Sequence, residues 1–247
     1  MIDYNIIIPA RYNSNRLPGK PLIDILGKTM IERVWLNARM SLAQEVIIAT
    51  DDERIADKAR NFGASVVLTS DKHKSGTDRI TEVIDYLKWP DDQIVLNLQG
   101  DEPLLPAILM NECAALLAEK NIDIGTLASP FLSKEDWLNT NMVKVVIDCD
   151  SCASYFSRSP IPHSFNPEID VIEKGLAYHH LGIYAYSCKS LRELQDFIAP
   201  QVQTIEKLEQ LKALFHGMRI KVGITSVSPG FSVDVAEDVN LVIKALR

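Results

Sequence analysis

Residues 4–22 read Tyr4-Asn5-Ile6-Ile7-Ile8-Pro9-Ala10-Arg11-Tyr12-Asn13-Ser14-Asn15-Arg16-Leu17-Pro18-Gly19-Lys20-Pro21-Leu22. An unbroken apolar run gives way to a polar loop carrying three cations and two prolines. A strand buried on both faces is continuously apolar rather than alternating, so residues 4–9 predict an interior strand of a parallel sheet. The same punctuation recurs downstream. Met30, Ile31, Val34, Trp35, Ala38 and Leu42 repeat at helical spacing and predict a helix over 29–42. Strands follow at 46–50, 65–69 and 94–98, and helices at 52–62, 77–89 and from about 106 to 119. Alternation of this kind predicts an α/β fold with a doubly wound, mostly parallel sheet.

The second half is less regular. Strands are predicted at 142–147, 153–157 and 181–186, with a mobile, Pro-rich loop at 160–174. A helix is predicted over 203–215 with Gly217 as its stop, then a strand at 220–225 and a closing helix from about Val235. One domain is expected, with a nucleotide-binding half at 1–125 and a smaller mixed lobe at 126–247.

Composition narrows the function classes. The chain has 247 residues, 47% hydrophobic and 24% charged, ordinary for a globular protein of one domain. Its formal net charge of −7 argues against a nucleic-acid partner, which needs a dense basic face. No apolar run approaches the roughly 20 residues of a membrane span, and the opening residues have no export signature, so a cytoplasmic protein is expected. Cys149-x-x-Cys152 flanks a turn and has no second ligand pair, so neither zinc nor redox chemistry is expected of it. Against the acidic background, Arg11, Arg16, Lys20 and Lys28 crowd a segment whose only acid between Asp3 and Glu32 is Asp24. A local cationic spot suits a small polyanion.

Ligands of open parallel sheets bind beyond the carboxyl ends of the strands. Four polar clusters fall there: 10–20, 50–52, 70–79 and 99–102. The first lacks both G-x-G-x-x-G and G-x-x-x-x-G-K-[ST], which argues against a Rossmann dehydrogenase and a P-loop enzyme. Its cations suit a triphosphate held by side chains as well as by backbone amides.

The series Pro9-Ala10-Arg11 … Arg16-Leu17-Pro18-Gly19-Lys20-Pro21-Leu22, Ala49-Thr50-Asp51, Ser75-Gly76-Thr77-Asp78-Arg79 and Gln99-Gly100-Asp101-Glu102-Pro103 resembles the 3-deoxy-manno-octulosonate (Kdo) cytidylyltransferases. Later segments agree in order: Val143-Lys144-Val145-Val146, Tyr155-Phe156-Ser157-Arg158, His180-Leu181-Gly182-Ile183-Tyr184, Leu208-Glu209-Gln210-Leu211 and Val233-Asp234. The resemblance implies a nucleotide-diphospho-sugar transferase-like fold whose smaller lobe serves dimerisation and sugar binding. The implied activity is magnesium-dependent transfer of CMP from CTP to the anomeric hydroxyl of Kdo, an acidic eight-carbon sugar, for lipopolysaccharide assembly. It implies a homodimer as well.

Residue by residue, the resemblance implies Asp101 and Asp234 as Mg2+ ligands and Arg11 and Lys20 as catalytic contacts to the β- and γ-phosphates, with Arg16 assisting. Ala10, Ser75, Gly76, Arg79 and Gln99 complete the nucleotide strip, and Arg158, His180, Tyr184, Glu209 and Gln210 the sugar site. Plainer readings stand beside these: Asp101 and Asp234 as helix or turn caps, His180 as a core histidine, Glu209 and Gln210 as a solvated helix face. Departures from the family pattern are Ser232 for glycine, Val235-Ala236 for Thr-Pro, and His179 for an arginine. The 8-amino relative of Kdo therefore stays open as acceptor. A glycosyltransferase is a rival, against which the triphosphate-scale cation loop counts, and a catalytically silent nucleotide-binding protein is another.

Overall fold

The computed structural model describes residues 2–13, 17–73, 75–166 and 168–247. The chain runs β1 (Tyr4–Ala10), β2 (Asp24–Ile25), β3 (Lys28–Thr29), α1 (Met30–Ala38), β4 (Val46–Thr50), α2 (Glu53–Asn61), β5 (Ser65–Leu68), α3 (Gly76–Tyr86), β6 (Ile94–Asn97) and α4 (Ala107–Ala115). It continues through β7 (Ile124–Pro130), α5 (Lys134–Leu138), β8 (Lys144–Ile147), β9 (Ala153–Ser157), β10 (Tyr178–Ser187), α6 (Cys188–Asp196), α7 (Gln201–Glu206), α8 (Gln210–Phe215), β11 (Ile220–Ile224) and α9 (Ala236–Ala245).

The main sheet has the order β11-β7-β10-β6-β1-β4-β5, with β8 and β9 branching from β10. β1 pairs in parallel with β4 and β6, β4 with β5, and β7 with β11, whereas β10 is antiparallel to both its neighbours in this order. The mostly parallel α/β expectation therefore holds, and β10 is the strand that joins the two halves. Along β1, Ile6 and Ile8 enter one core cluster and Ile7 the other. Both faces of the strand are thus dry, which is why the run lacks a polar alternate. Each such isoleucine contributes about 1.5–3 kcal/mol by burial.

The second half departs from expectation at several points, α5 and α6 among them. β7 was not anticipated: Ile124-Gly125-Thr126-Leu127-Ala128-Ser129-Pro130 is poor in large β-formers, yet it lies inside the sheet. A Cβ at Gly125 would stand 2.9 Å from the Cys113 carbonyl and 2.7 Å from Leu117 Cδ2. The close approach of the α4 end requires a residue that carries no strand signal.

The helix expected over 203–215 is broken. Lys207 takes φ +53°, ending α7, and α8 starts at Gln210. Its apolar spacing fits one helix, but the Glu206 carboxylate accepts from Ser157 Oγ (2.7 Å) and the Arg158 N–H (2.9 Å). Arg158 Nε in turn donates to the Glu206 carbonyl at 2.7 Å. These long-range bonds fix the chain in a turn that propensity alone does not ask for. Elsewhere helix ends are trimmed: α1 stops at Ala38, whose carbonyl accepts from Ser41 Oγ at 2.6 Å. Within 160–174 Val171 is buried and packs with Phe131 and Ala177, anchoring that irregular segment. No helix among the described residues is long and apolar enough to cross a membrane.

Candidate active site

The carboxyl ends of β1 and β6, the start of α3 and the start of α8 surround a cleft of two joined cavities, about 320 and 480 Å³. Ser75, Gly76, Gln99 and Glu209 line both. Ala10, Arg11, Lys20 and Asp101 line the smaller; Tyr184 and Gln210 line the larger. Parallel strand order delivers these ends to one edge, so residues distant in sequence meet there. Ser75 caps α3 reciprocally: its Oγ accepts from the Asp78 N–H (3.1 Å) while Asp78 Oδ2 accepts from the Ser75 N–H (3.2 Å). The positive end of α3 therefore faces the cleft.

Arg11 Nη2 is buried and finds no hydrogen-bond partner among the described residues. A desolvated guanidinium donor left open costs free energy until an anion fills its place. Lys20 is only 9% exposed, and its ammonium lies 2.8 Å from Asp101 Oδ2 and 3.5 Å from Asp234 Oδ1. One cation already sits between the two carboxylates. Asp234 reaches this point because the Val233 N–H donates to the Asp101 carbonyl at 2.9 Å. Asp238 Oδ2 accepts from the N–H groups of Asp234 (2.8 Å) and Val235 (2.9 Å), which ties the start of α9 to the Asp234 loop without a hydroxyl at position 235. Burial, then the charges of Asp101 and Asp234, push the neighbouring Glu102 carboxyl up to about 8.

Asp101 and Asp234 offer two hard oxygen donors, the set magnesium takes when phosphate oxygens and water complete its shell. No cluster of three or more His, Cys, Asp or Glu suited to a metal is present among the described residues. Together these two side chains would present a two-carboxylate edge to such an ion.

Several expected site residues stand elsewhere. Arg16 lies outside the described residues. Arg79 has no exposed surface; its Nη2 donates to Asp51 Oδ2 at 2.7 Å and its Nη1 to Thr69 Oγ1. It is an internal strut behind the nucleotide strip, and none of the 50–52 cluster lines the cleft. Arg158 does not line it either, because its guanidinium serves the carbonyls of Glu206 (2.7 Å), Thr140 (3.0 Å) and Lys207 (3.5 Å). His180 is buried against Phe156 and Tyr184, behind the cavity wall. Thr126 Oγ1 donates to the Ile183 carbonyl (2.7 Å), so His180 Nε2–H donates to Thr126 Oγ1 (3.0 Å).

Asn97 escaped the sequence reading. It is 2% exposed, lines the larger cavity, and its Oδ1 has no partner among the described residues. Its position at the carboxyl end of β6, two residues before Gln99, is the signal the sequence offers. Lys207 and Lys212 add cations to that cavity, and Glu209, whose carboxyl is raised by burial and by Asp78, adds an acid. Burial also raises the Tyr184 phenol, which stays protonated as a donor.

Burial lowers His180 from 6.5 to about 3. The unfolded chain therefore binds a proton that the folded chain refuses, and stability is full above pH 6.5 and falls as pH drops toward 3. Across that window the parent is expected to lose about 1.4 kcal/mol per pH unit through this group relative to His180→Phe. Urea unfolding at several pH values measures the difference; parallel curves for the two proteins would contradict the neutral-core assignment.

A family model described as Cytidylyltransferase matches residues 5–220. The 3-deoxy-manno-octulosonate cytidylyltransferase of Haemophilus influenzae (strain 86-028NP) is 43% identical over 98% of this chain and 97% of its own. That of Thioalkalivibrio sulfidiphilus is 46% identical over the full length of both. The structure of CMP:2-keto-3-deoxy-manno-octonic acid synthetase complexed with CTP superposes with a TM-score of 0.90 at 35% identity, covering 99% of this chain and 98% of that one. At these identities over nearly the whole length of both chains, this chain belongs to the 3-deoxy-manno-octulosonate cytidylyltransferase family.

Proposed function

We propose that the protein transfers CMP from CTP to the anomeric hydroxyl of Kdo and releases pyrophosphate. The observation that carries this reading is the buried Arg11 Nη2, without a hydrogen-bond partner among the described residues, in the same small cavity as Lys20 and Asp101, with Lys20 bridging Asp101 and Asp234. The adjoining cavity, with Tyr184, Glu209, Gln210 and Asn97 on its walls, has the polar lining a polyhydroxylated acid needs. Its two lysines suit the acceptor carboxylate, since Arg158 is already spent on three carbonyls.

The acceptor oxygen bonds the α-phosphorus, the bond from that phosphorus to the bridging oxygen breaks, and pyrophosphate leaves with the electron pair. The hydroxyl proton passes to solvent. Arg11 and Lys20 hold the β- and γ-phosphates and oppose the charge that grows on the leaving group. Gln99, Ser75 and the start of α3 keep the nucleotide across the two cavities, so the acceptor meets the α-phosphorus from the larger one. Magnesium held by Asp101 and Asp234 would neutralise phosphate charge and acidify the acceptor hydroxyl.

The rival silent reading loses its motive, because the Val233–Asp101 bond and the Asp238 cap hold the altered 232–236 segment in place. Exposed Leu132 and Phe165 in the second half support a homodimer, which sedimentation would measure. The deciding assay is a panel of CTP and UTP against Kdo, 8-amino-Kdo and sialic acid, read as pyrophosphate with and without magnesium. Release from CTP with Kdo, dependent on magnesium, is expected. No release with any acidic sugar would overturn the assignment.

A further inference from the structure

We propose that Tyr12, Arg54 and Asp52 form a clamp that positions the cation loop, making Tyr12 and Arg54 positioning residues for Arg11 and Lys20. The inference rests on the reading of those two cations as the triphosphate contacts.

Tyr12 follows Arg11, and Gly19 precedes Lys20. The Gly19 N–H donates to the Tyr12 carbonyl at 2.9 Å, closing the loop at a neck whose two sides carry the two cations. Gly19 takes φ +70° and presents its α-carbon to the phenol; a Cβ there would lie 3.4 Å from Tyr12 Cζ and Oη. The ring also packs against the core cluster that contains Ile6 and Ile8. One aromatic side chain therefore ties the neck to the sheet.

The same ring meets a second fixed group. The Arg54 guanidinium carbon is 3.3 Å from the ring centroid, well inside the roughly 6 Å range of a cation–π contact. That guanidinium is itself held in a fork, Nε to Asp52 Oδ1 at 2.9 Å and Nη2 to Asp52 Oδ2 at 2.6 Å. Asp52 Oδ1 also accepts the Arg54 N–H at 2.9 Å as the cap of α2. α2 follows β4, whose Thr50 stands in register with Ala10 of β1. The loop leaving one strand is thus braced by the helix leaving its neighbour.

Tyr12, Asp52 and Arg54 stand outside the lining of both cavities, so they act on a ligand only through the loop. A loop held before binding loses less conformational freedom when the triphosphate arrives. Loosening it misplaces two charges together, and small misplacements of charged groups are costly to the transition state.

The experiment titrates CTP with magnesium by calorimetry and measures steady-state pyrophosphate release for the parent, Tyr12→Leu, Tyr12→Phe, Arg54→Ala, Asp52→Asn and Lys20→Ala. Tyr12→Leu and Arg54→Ala are expected to weaken CTP binding and lower kcat/KM for CTP about tenfold. The KM for the sugar and the thermal midpoint should stay near the parent's. Tyr12→Phe, which keeps the ring, should restore CTP affinity, and Asp52→Asn, a good cap without the charge, should fall between. Parental CTP affinity in Tyr12→Leu and Arg54→Ala would overturn the clamp. So would a loss that follows the thermal midpoint and leaves both KM values untouched, since that is a purely structural role. If Lys20→Ala weakens CTP while Tyr12→Leu does not, the clamp alone fails. If Lys20→Ala also binds CTP like the parent, the reading of the loop as the triphosphate site falls with it.

Discussion

Asp101→Asn is expected to reduce turnover by about 10²–10³-fold while leaving the fold intact. The substitution keeps the side chain's shape and the backbone carbonyl that receives the Val233 N–H, so the loop bearing Asp234 stays docked. What it removes is one of two negative charges converging on the Lys20 ammonium. Without that charge the proposed site would hold a divalent cation poorly, and Lys20 would lose the 2.8 Å partner that fixes its ammonium. Lys20→Ala is expected to fall into the same range, because it removes both the cation proposed to oppose charge on the departing pyrophosphate and the ammonium that links Asp101 to Asp234. Groups acting as one unit are non-additive, so the double variant should cost little more than either single one. Single-turnover measurements at saturating CTP separate the chemical step from binding. A parental rate in both single variants would dissolve the proposed convergence.

Arg79→Met is expected to destabilise the protein by roughly 3–5 kcal/mol without acting on the nucleotide directly. The guanidinium is wholly buried, ion-paired with Asp51 and bonded to Thr69, so its removal strands a carboxylate that is itself mostly covered. Breaking such a pair from one side costs far more than the pair contributes net, because a desolvated charge is left without a partner. For a chain of this size that corresponds to a fall of about 10 °C in thermal midpoint. Adding Asp51→Asn to Arg79→Met should recover part of the loss, by neutralising the stranded charge. Guanidinium unfolding measures both. The opposite pattern, undiminished stability with a large loss of CTP affinity, would return Arg79 to the nucleotide strip where its motif suggested it belongs.

Arg79, Arg158 and His180 show why motif position and site position differ. Each lies in a segment that resembles the family, and each turns away from the cleft into a partner drawn from another element: Asp51 on the β4 side, the carbonyls around Lys207, and Thr126 on β7. A sequence places a residue on an element but not its rotamer, and an arginine reaches several competing partners. Asn97 is the converse case, an unremarkable strand-end residue that becomes notable only because its oxygen is buried without a partner among the described residues and the side chain lines a cavity. Arg11, Lys20, Asp101, Gln99 and Ser75 needed less, since each follows a strand or opens a helix at the sheet edge where ligands collect.

The sequence by itself determined the alternation of strands and helices, the doubly wound core and the chemical character of the loops at its carboxyl edge. Local signals suffice there: a strand dry on both faces has to be apolar throughout, and a loop that meets a polyanion has to carry cations. Only the tertiary structure decided that β7 enters the sheet, that the helix over 203–215 breaks at Lys207, and that Lys20 stands between two aspartates 81 and 214 residues away. Those outcomes depend on contacts between segments far apart in the chain, such as Ser157 against Glu206 and Val233 against Asp101. Neither partner's local sequence records the other, so the geometry exists only once the chain has closed on itself.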